Sequence, residues 1–324
     1  MDFTTDGHAV FGPVELSQTP PSPPAAASVT AAAGYYGIFW MLLASFLFVS
    51  MDTTVKYLVQ TYSVPQVAWA RYSFHMLFLI LFLRGRLPRV MATQRLGIQL
   101  FRSLLLLATT GLFFLALRFV PLAEVSAIMF IGPIIVTALS VPLLHEQVGV
   151  HRWAGVLVGF AGALVMLHPG AKAMAAASLL PLSAACVYAF YQITTRMLSR
   201  TDGPMTTLVY TAVVGTLAAS VAAPFYWVAP DMAGWSLMVL LGLLGGVGHF
   251  AVIKAFQSSN AATITPFGYT NLIWATLSGI VFFDEYPEPR ILIGAGIIIC
   301  SGLYIFHRER IQSRQQVNIS KPSK

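Results

Sequence analysis

Charge is scarce in this 324-residue chain. Asp, Glu, Lys and Arg make up 10% of it, against about a quarter of an average soluble domain. So little charge leaves no room for a water-borne catalytic domain. Cysteine is nearly absent too: Cys186 and Cys300 both fall in apolar runs, where a thiol behaves as a small hydrophobe. Two such residues build neither a disulfide framework nor a metal cluster. Residues 1–34 carry no Lys or Arg and so lack the basic start of a secretory signal; their Pro, Ala and Ser content reads as a disordered tail. No zinc-ligand spacing or nucleophile elbow occurs, and Gly242, Gly245 and Gly248 lie in an apolar run with no strand before it, unlike a phosphate-binding loop. The expectation is a protein with no cofactor, no metal and no catalytic role.

Apolar residues are abundant, at 57% of the chain, with a mean hydropathy of +0.74. Apolar stretches of about 20 residues, enough to cross a bilayer, recur from Tyr35 to Phe306. They predict an all-α membrane protein of ten helices, at 35–57, 65–83, 97–117, 121–144, 151–168, 175–196, 204–224, 234–257, 260–283 and 289–306. The net charge of +7 raises nucleic acid as a partner, but the placement of the basic residues points to topology instead. With the N-terminus inside, Arg84, Arg86, Arg89, Arg95, Arg152, Arg196, Arg200 and the cluster from Arg308 to Lys324 share the cytoplasmic side, 12 of 19 basic residues. Arg118, Lys172 and Arg290 fall outside. This positive-inside bias puts both termini in the cytoplasm.

The chain also repeats itself. Shifted back by 139 positions, Gly248 to Glu285 falls without a gap on Thr109 to Glu146, pairing Ala255 with Ala116, Glu285 with Glu146 and, further on, Gly294 with Gly155. A shift of 140 lays Ala44 on Ala184 and Thr54 on Thr194. Each half then holds five helices. Because five is odd, the second copy enters from the opposite side, giving inverted repeats about an axis in the membrane plane. Alternating access uses that arrangement directly, by exchanging the conformations of the two copies.

Two runs carry a family resemblance: RSLLLLATTGLFFLALRFVPLAEVSAIMF, continuing to HPG at residue 170, and GVGHFAVIKAFQSSNAATITPFGYTNLIWATLSGIVFFDEYPEPR, continuing to HRER at residue 310. Their Ala-containing helix exits, acidic ends of helices 4 and 9, and Gly-rich helices 5 and 10 resemble the EamA-type branch of the drug/metabolite transporter superfamily over residues 35–306. The resemblance implies repeats at 35–168 and 175–306, a basic tail at 307–324, and a bacterial inner-membrane carrier with a central cavity. Its members carry unlike cargo, including amino acids, riboflavin, S-adenosylmethionine and quaternary amines, so fold does not choose among them.

Ionisable and aromatic side chains within the apolar runs are the candidate site, because charge is costly in a bilayer. Asp52 and Lys56, four residues apart, can pair with each other or meet substrate, and Lys56 can also reach the outer interface. Arg71 offers a planar fork suited to carboxylate or phosphate, or a buried pair with Asp52 or Glu124. Tyr72 and His75 accompany it; His75 either couples protons or packs. In the second copy Tyr188 and Gln192 occupy the face matching Asp52. His249, Tyr269, Asn271 and Trp274 form an aromatic wall with an amide, fit for a flat or amphipathic metabolite or for packing. Glu124 opens helix 4, where the helix dipole favours a carboxylate. Lys254 coordinates gating or snorkels, while Glu146 and Glu285 anchor hairpins or gate the two mouths. Gly132–Pro133 and Pro266 should kink helices 4 and 9.

The leading expectation is a secondary-active carrier of a small polar or amphipathic metabolite. The alternatives are a membrane enzyme acting on a lipid-linked substrate and a non-transporting sensor. Its partners are a small-molecule substrate, the lipid bilayer and a proton or counter-substrate as coupling candidate, with no nucleic acid; the assembly is a monomer or a homodimer.

Overall fold

A computed structural model describes residues 26–144, 149–167, 174–259 and 264–319. Among these the chain is helical throughout, with no strand. The helices are α1 (Ala26–Thr61), α2 (Val64–Leu83), α3 (Leu87–Val90), α4 (Leu96–Phe119), α5 (Leu122–Met129), α6 (Gly132–Leu144), α7 (Val150–Leu167), α8 (Met174–Leu198), α9 (Pro204–Ala222), α10 (Met232–Ser258), α11 (Thr270–Phe283) and α12 (Pro289–Ile319). Within the described residues seven spans are long and apolar enough to cross a membrane: six helices and the α5–α6 pair. Trp153–Met166 and Pro289–Tyr304 are shorter apolar helices.

Local chemistry sets the ends. Ser63 caps α2 by accepting from the Gln66 amide, with proline in its first turn, and Asp231 caps α10 through the Gly234 amide at 2.7 Å. Helix α2 stops where Arg84 and Gly85 turn left-handed, at φ 40° and 82°; the glycine adopts this without strain. At Gly132–Pro133 the span at 122–144 goes beyond the expected kink and breaks between Met129 and Gly132, because Pro133 has no amide to donate to the Met129 carbonyl. On the other side, Thr265–Tyr269 is a 3-10 turn holding Pro266 ahead of α11.

Three sequence boundaries move, and the helix expected from residue 260 begins as α11 only at Thr270. Helix α1 begins at Ala26, inside the expected tail, because alanine is the strongest helix former. Helix α12 runs on to Ile319, since Arg, Glu and Gln favour the helix beyond the apolar stretch. Residues 1–25, Glu146 and Lys321 to Lys324 lie outside the described residues.

Packing is reciprocal. Helix α1 packs on α10 as α4 packs on α8; α2 packs on α10 as α4 does on α9; α6 meets α8 as α1 meets α11. Pairs α2 with α9, α5 with α11 and α7 with α12 complete the set. Since lipid is as apolar as leucine, close fit holds such helices together. At α7–α12 a Cβ on Gly162 would sit 2.9 Å from the Gly294 carbonyl oxygen, and one on Gly294 would sit 2.6 Å from that of Gly162. Ser301 of α12 also donates to the Gly155 carbonyl. Phe82, Val221 and Phe282 stand exposed on the outer surface, as a lipid-facing belt requires.

Candidate functional site

Inside the bundle lies a cavity of about 400 Å³ walled by both halves of the chain. Helix α1 supplies Phe48, Met51 and Asp52; α2 supplies Arg71; α4 supplies Thr109, Thr110 and Phe113. The break after α5 contributes Met129, Phe130 and Pro133, joined by Ser126. From the second half come Tyr188, Tyr191 and Gln192 on α8, His249 on α10 and Asn271 on α11.

Six of the ten substrate residues expected from sequence therefore meet around one space: Asp52, Arg71, Tyr188, Gln192, His249 and Asn271. The periodicity explains the α8 group, because Tyr188 and Gln192 are one helical turn apart and share a face. Arg71 Nη1 donates to Thr110 Oγ1 at 2.8 Å, and the Tyr72 hydroxyl pairs with the same oxygen at 2.8 Å. The guanidinium also lies 5.4 Å from the Tyr72 ring centre and 5.7 Å from that of Phe114, so two aromatic faces steady the cation. Asp52 and Arg71 are the acid and the guanidinium of the wall. Tyr188 and Tyr191 stack with ring centres 5.3 Å apart at 20°, while the Phe48 ring meets His249 edge-on at 5.1 Å. Such a wall offers flat apolar faces beside hydroxyls, amides, a carboxyl group and a guanidinium.

The other expected residues do not line this cavity. Tyr72 is buried on Thr110. His75 stacks on His249 at 5.7 Å and 10°, and its Nε2 is buried without a hydrogen-bond partner among the described residues. Tyr269 packs on Phe130 at 5.2 Å, and Trp274 meets Phe46 edge-on at 5.5 Å. Lys254 lies over Phe250, 5.6 Å from the ring centre.

Lys56 corrects the i,i+4 pairing with Asp52. Its Nζ forms an ion pair with Glu285 Oε1 at 2.5 Å and donates to the Val120 carbonyl at 3.0 Å. Glu285 Oε2 in turn accepts the Leu122 amide at 3.0 Å, so this carboxylate from the far half caps α5. Glu124, in the first turn of that helix, is buried and accepts from the Ser178 hydroxyl at 3.0 Å. The backbone-capping role thus belongs to Glu285.

Several cavity residues escape sequence reasoning. Tyr191 is the most legible of them, one position before Gln192 and three after Tyr188 on the same helix. Buried Arg102 stands behind it, donating to the Tyr191 hydroxyl at 2.7 Å, Thr195 Oγ1 at 2.6 Å, Thr211 Oγ1 at 2.8 Å and the Thr207 carbonyl at 3.1 Å. Its guanidinium also covers the Tyr191 ring at 4.4 Å. Thr109, Thr110 and Phe48 carry no sequence signal that separates them from packing residues.

A polytopic helical bundle with a polar cavity shared by its two halves defines the class as a membrane transporter. The EamA-like transporter family matches the chain twice, over residues 35–168 and 175–306. The chain belongs to that family, within the drug/metabolite transporter superfamily. It is 30% identical to a riboflavin transporter of Vibrio cholerae over 289 residues, covering 88% of this chain and 97% of the relative. It is 28% identical to an S-adenosylmethionine uptake transporter of Rickettsia bellii, covering 85% and 94%. A pseudopaline exporter of Pseudomonas aeruginosa is 24% identical, covering 81% and 93%. One solved crystal structure superposes with a TM-score of 0.56 at 17% identity, covering 86% of this chain and 96% of that one, which speaks to the fold alone.

Proposed function

We propose that this protein is a secondary-active carrier that moves a small polar or amphipathic metabolite through the central cavity by alternating access, from a bacterial inner membrane with both termini cytoplasmic. The observation that carries the reading is the shared wall: Asp52 and Arg71 from one half face Gln192, His249 and Asn271 from the other around a single space. A solute bound there touches both halves, so their relative movement can pass it across. The reciprocal helix pairings support two inverted five-helix repeats at 35–168 and 175–306. Broken helices beside the cavity fit as well, because irregular backbone within a membrane is tolerated where it lines a polar space.

The chemistry of the wall favours a ring-bearing solute of low net charge. Tyr188, Tyr191, Phe48 and Phe130 present ring faces and edges. Gln192 and Asn271 can pair with amide or imide edges, and Arg71 with a carboxylate or hydroxyl. Relatives named for riboflavin and S-adenosylmethionine transport fall within that chemistry. Among the described residues no group of three or more His, Cys, Asp or Glu comes together to bind a metal, and no observation favours a membrane-embedded enzyme.

Purified protein in liposomes should take up labelled riboflavin or S-adenosylmethionine, driven by a proton gradient or by exchange. Arg71→Gln and Tyr191→Ala should each lower uptake at least tenfold while leaving the far-ultraviolet circular dichroism unchanged. A true ligand at 100 times its Kd should also stabilise the folded protein by about 2.7 kcal/mol. Liposomes that accumulate no ring-bearing metabolite under any gradient would overturn the proposal.

A further inference from the structure

Outside the transport cavity lies a second space, a groove of about 430 Å³ between α2, α9 and α10. Its lining is apolar, with Phe78, Phe82, Met205, Leu208, Val247 and Phe250 among its walls. Helices α2 and α10 run side by side in the same direction here, since Phe74 meets Trp235 and, further along both helices, Phe82 meets Phe250 at 6.1 Å. Phe82 and Val247 are exposed on the outer surface, so the groove opens sideways toward lipid. His75 closes its inner end, with its ring backed onto His249 of the transport cavity.

The groove has one charged end. Arg84 and Arg86 stand two and four positions after Phe82, both exposed where α2 stops. Lys254 lies one turn beyond Phe250 and holds its ammonium 5.6 Å from that ring centre. Helix α3, which carries Arg89, packs Leu87 and Val90, with Met91 after it, against the cluster that holds Leu83 and Leu208, which brings another exposed arginine to the same end. No carboxylate lines the groove. An apolar slot open to lipid with cations at one mouth is complementary to one occupant of stated chemistry.

We infer that this groove is a binding site for an anionic phospholipid, with an acyl chain along the slot and the headgroup phosphate held by Arg84 and Lys254. Hydrocarbon alone gives little preference, because any acyl chain leaves lipid for an equally apolar wall. Selectivity therefore rests on the cations, each contributing about fivefold in favour of an anionic headgroup near the membrane surface. The basic mouth lies on the side that the positive-inside bias assigns to the cytoplasmic leaflet. Because His75 separates the slot from His249, a seated acyl chain also supports the cavity wall from behind.

The test uses the full chain purified in mild detergent and incubated with an equimolar mixture of phosphatidylglycerol and phosphatidylcholine, with retained lipid read by native mass spectrometry. The wild type should retain phosphatidylglycerol at least tenfold over phosphatidylcholine. Arg84→Gln with Lys254→Gln should abolish the preference, and Val247→Trp, which fills the slot from its lipid face, should lower retention of both lipids. Thermal unfolding confirms that each variant is folded, and Lys254→Arg with Arg84→Lys should restore the preference. Equal retention of the two lipids by the wild type, or a preference that survives the double glutamine variant, would overturn the inference. Arg71→Gln should lose transport and keep the lipid preference, so a failure of the transport reading stays distinct from a failure of this one.

Discussion

Glu285→Gln isolates the ion pair that joins the two halves at one end of the bundle. The substitution keeps an oxygen for the Leu122 amide and removes only the charge that faces Lys56. Lys56 is then left with the Val120 carbonyl at 3.0 Å and no counterion. Stranding one member of a buried pair costs about 3–5 kcal/mol. Here the side chains are 6% and 21% exposed, so water reaches the glutamate, and about 2–3 kcal/mol is the appropriate figure once that screening is allowed for. In a chain of this length such a loss lowers the Tm by about 3–4 °C. Lys56→Met should cost a similar amount by leaving the carboxylate with the Leu122 amide alone. The double variant removes both charges and should fall no further than either single one, giving a coupling of about 2 kcal/mol. Thermal unfolding of the four proteins in one detergent completes the cycle. A neutral Glu285→Gln, or a double variant whose loss equals the sum of the singles, would refute the argument that this is a desolvated, paired contact.

Two further outcomes follow from the geometry. In the loop between α8 and α9, Asp202 accepts from Thr93 at 2.5 Å and Gln99 at 2.6 Å. Burial pushes its carboxyl up, but these bonds, with others from Thr201 and the Gln94 backbone, outweigh burial and hold it below the ordinary carboxylate range. A depressed carboxyl stabilises the fold above the unfolded-state value of about 4 and loses that contribution as pH falls through its folded value. The stability gap between wild type and Asp202→Asn should therefore be full at pH 7 and close below pH 4; a gap that widens on acidification would contradict the hydrogen-bonding account. At the α7–α12 crossing, Gly294→Val should cost at least about 1–3 kcal/mol, because the added carbons meet the Gly162 carbonyl and Met166. Gly296→Val, where nothing stands within 4 Å, should stay close to the wild type, and equal losses at the two positions would exclude the close-approach explanation.

The coarse fold, an all-helical chain with several membrane-crossing spans, was legible because a bilayer imposes a harsh grammar. Apolar runs of spanning length, glycines at helix contacts and a kink at Gly132–Pro133 are each forced by the absence of water and need no long-range knowledge. The cavity was legible only in part. Asp52 and Arg71 stand out because charge in an apolar run demands an explanation, and Tyr188 and Gln192 because they share a face. Thr109 carries no such mark: its hydroxyl returns to the Leu105 carbonyl of its own helix at 2.9 Å, so its composition is the same with or without a cavity. The misreading of Lys56 has a plain cause. A residue four positions away offers a local counterion, whereas Glu285 is brought in by the packing of α1 on α11, and no local pattern contains that contact.

The gap between α5 and α6 bears on what the cavity keeps when its side chains change. Pro133 leaves the Met129 carbonyl without its helical donor beside the cavity. That oxygen is a polar group that side-chain substitution at Met129 does not erase. Side chains around the cavity can then be exchanged while this backbone acceptor stays in place.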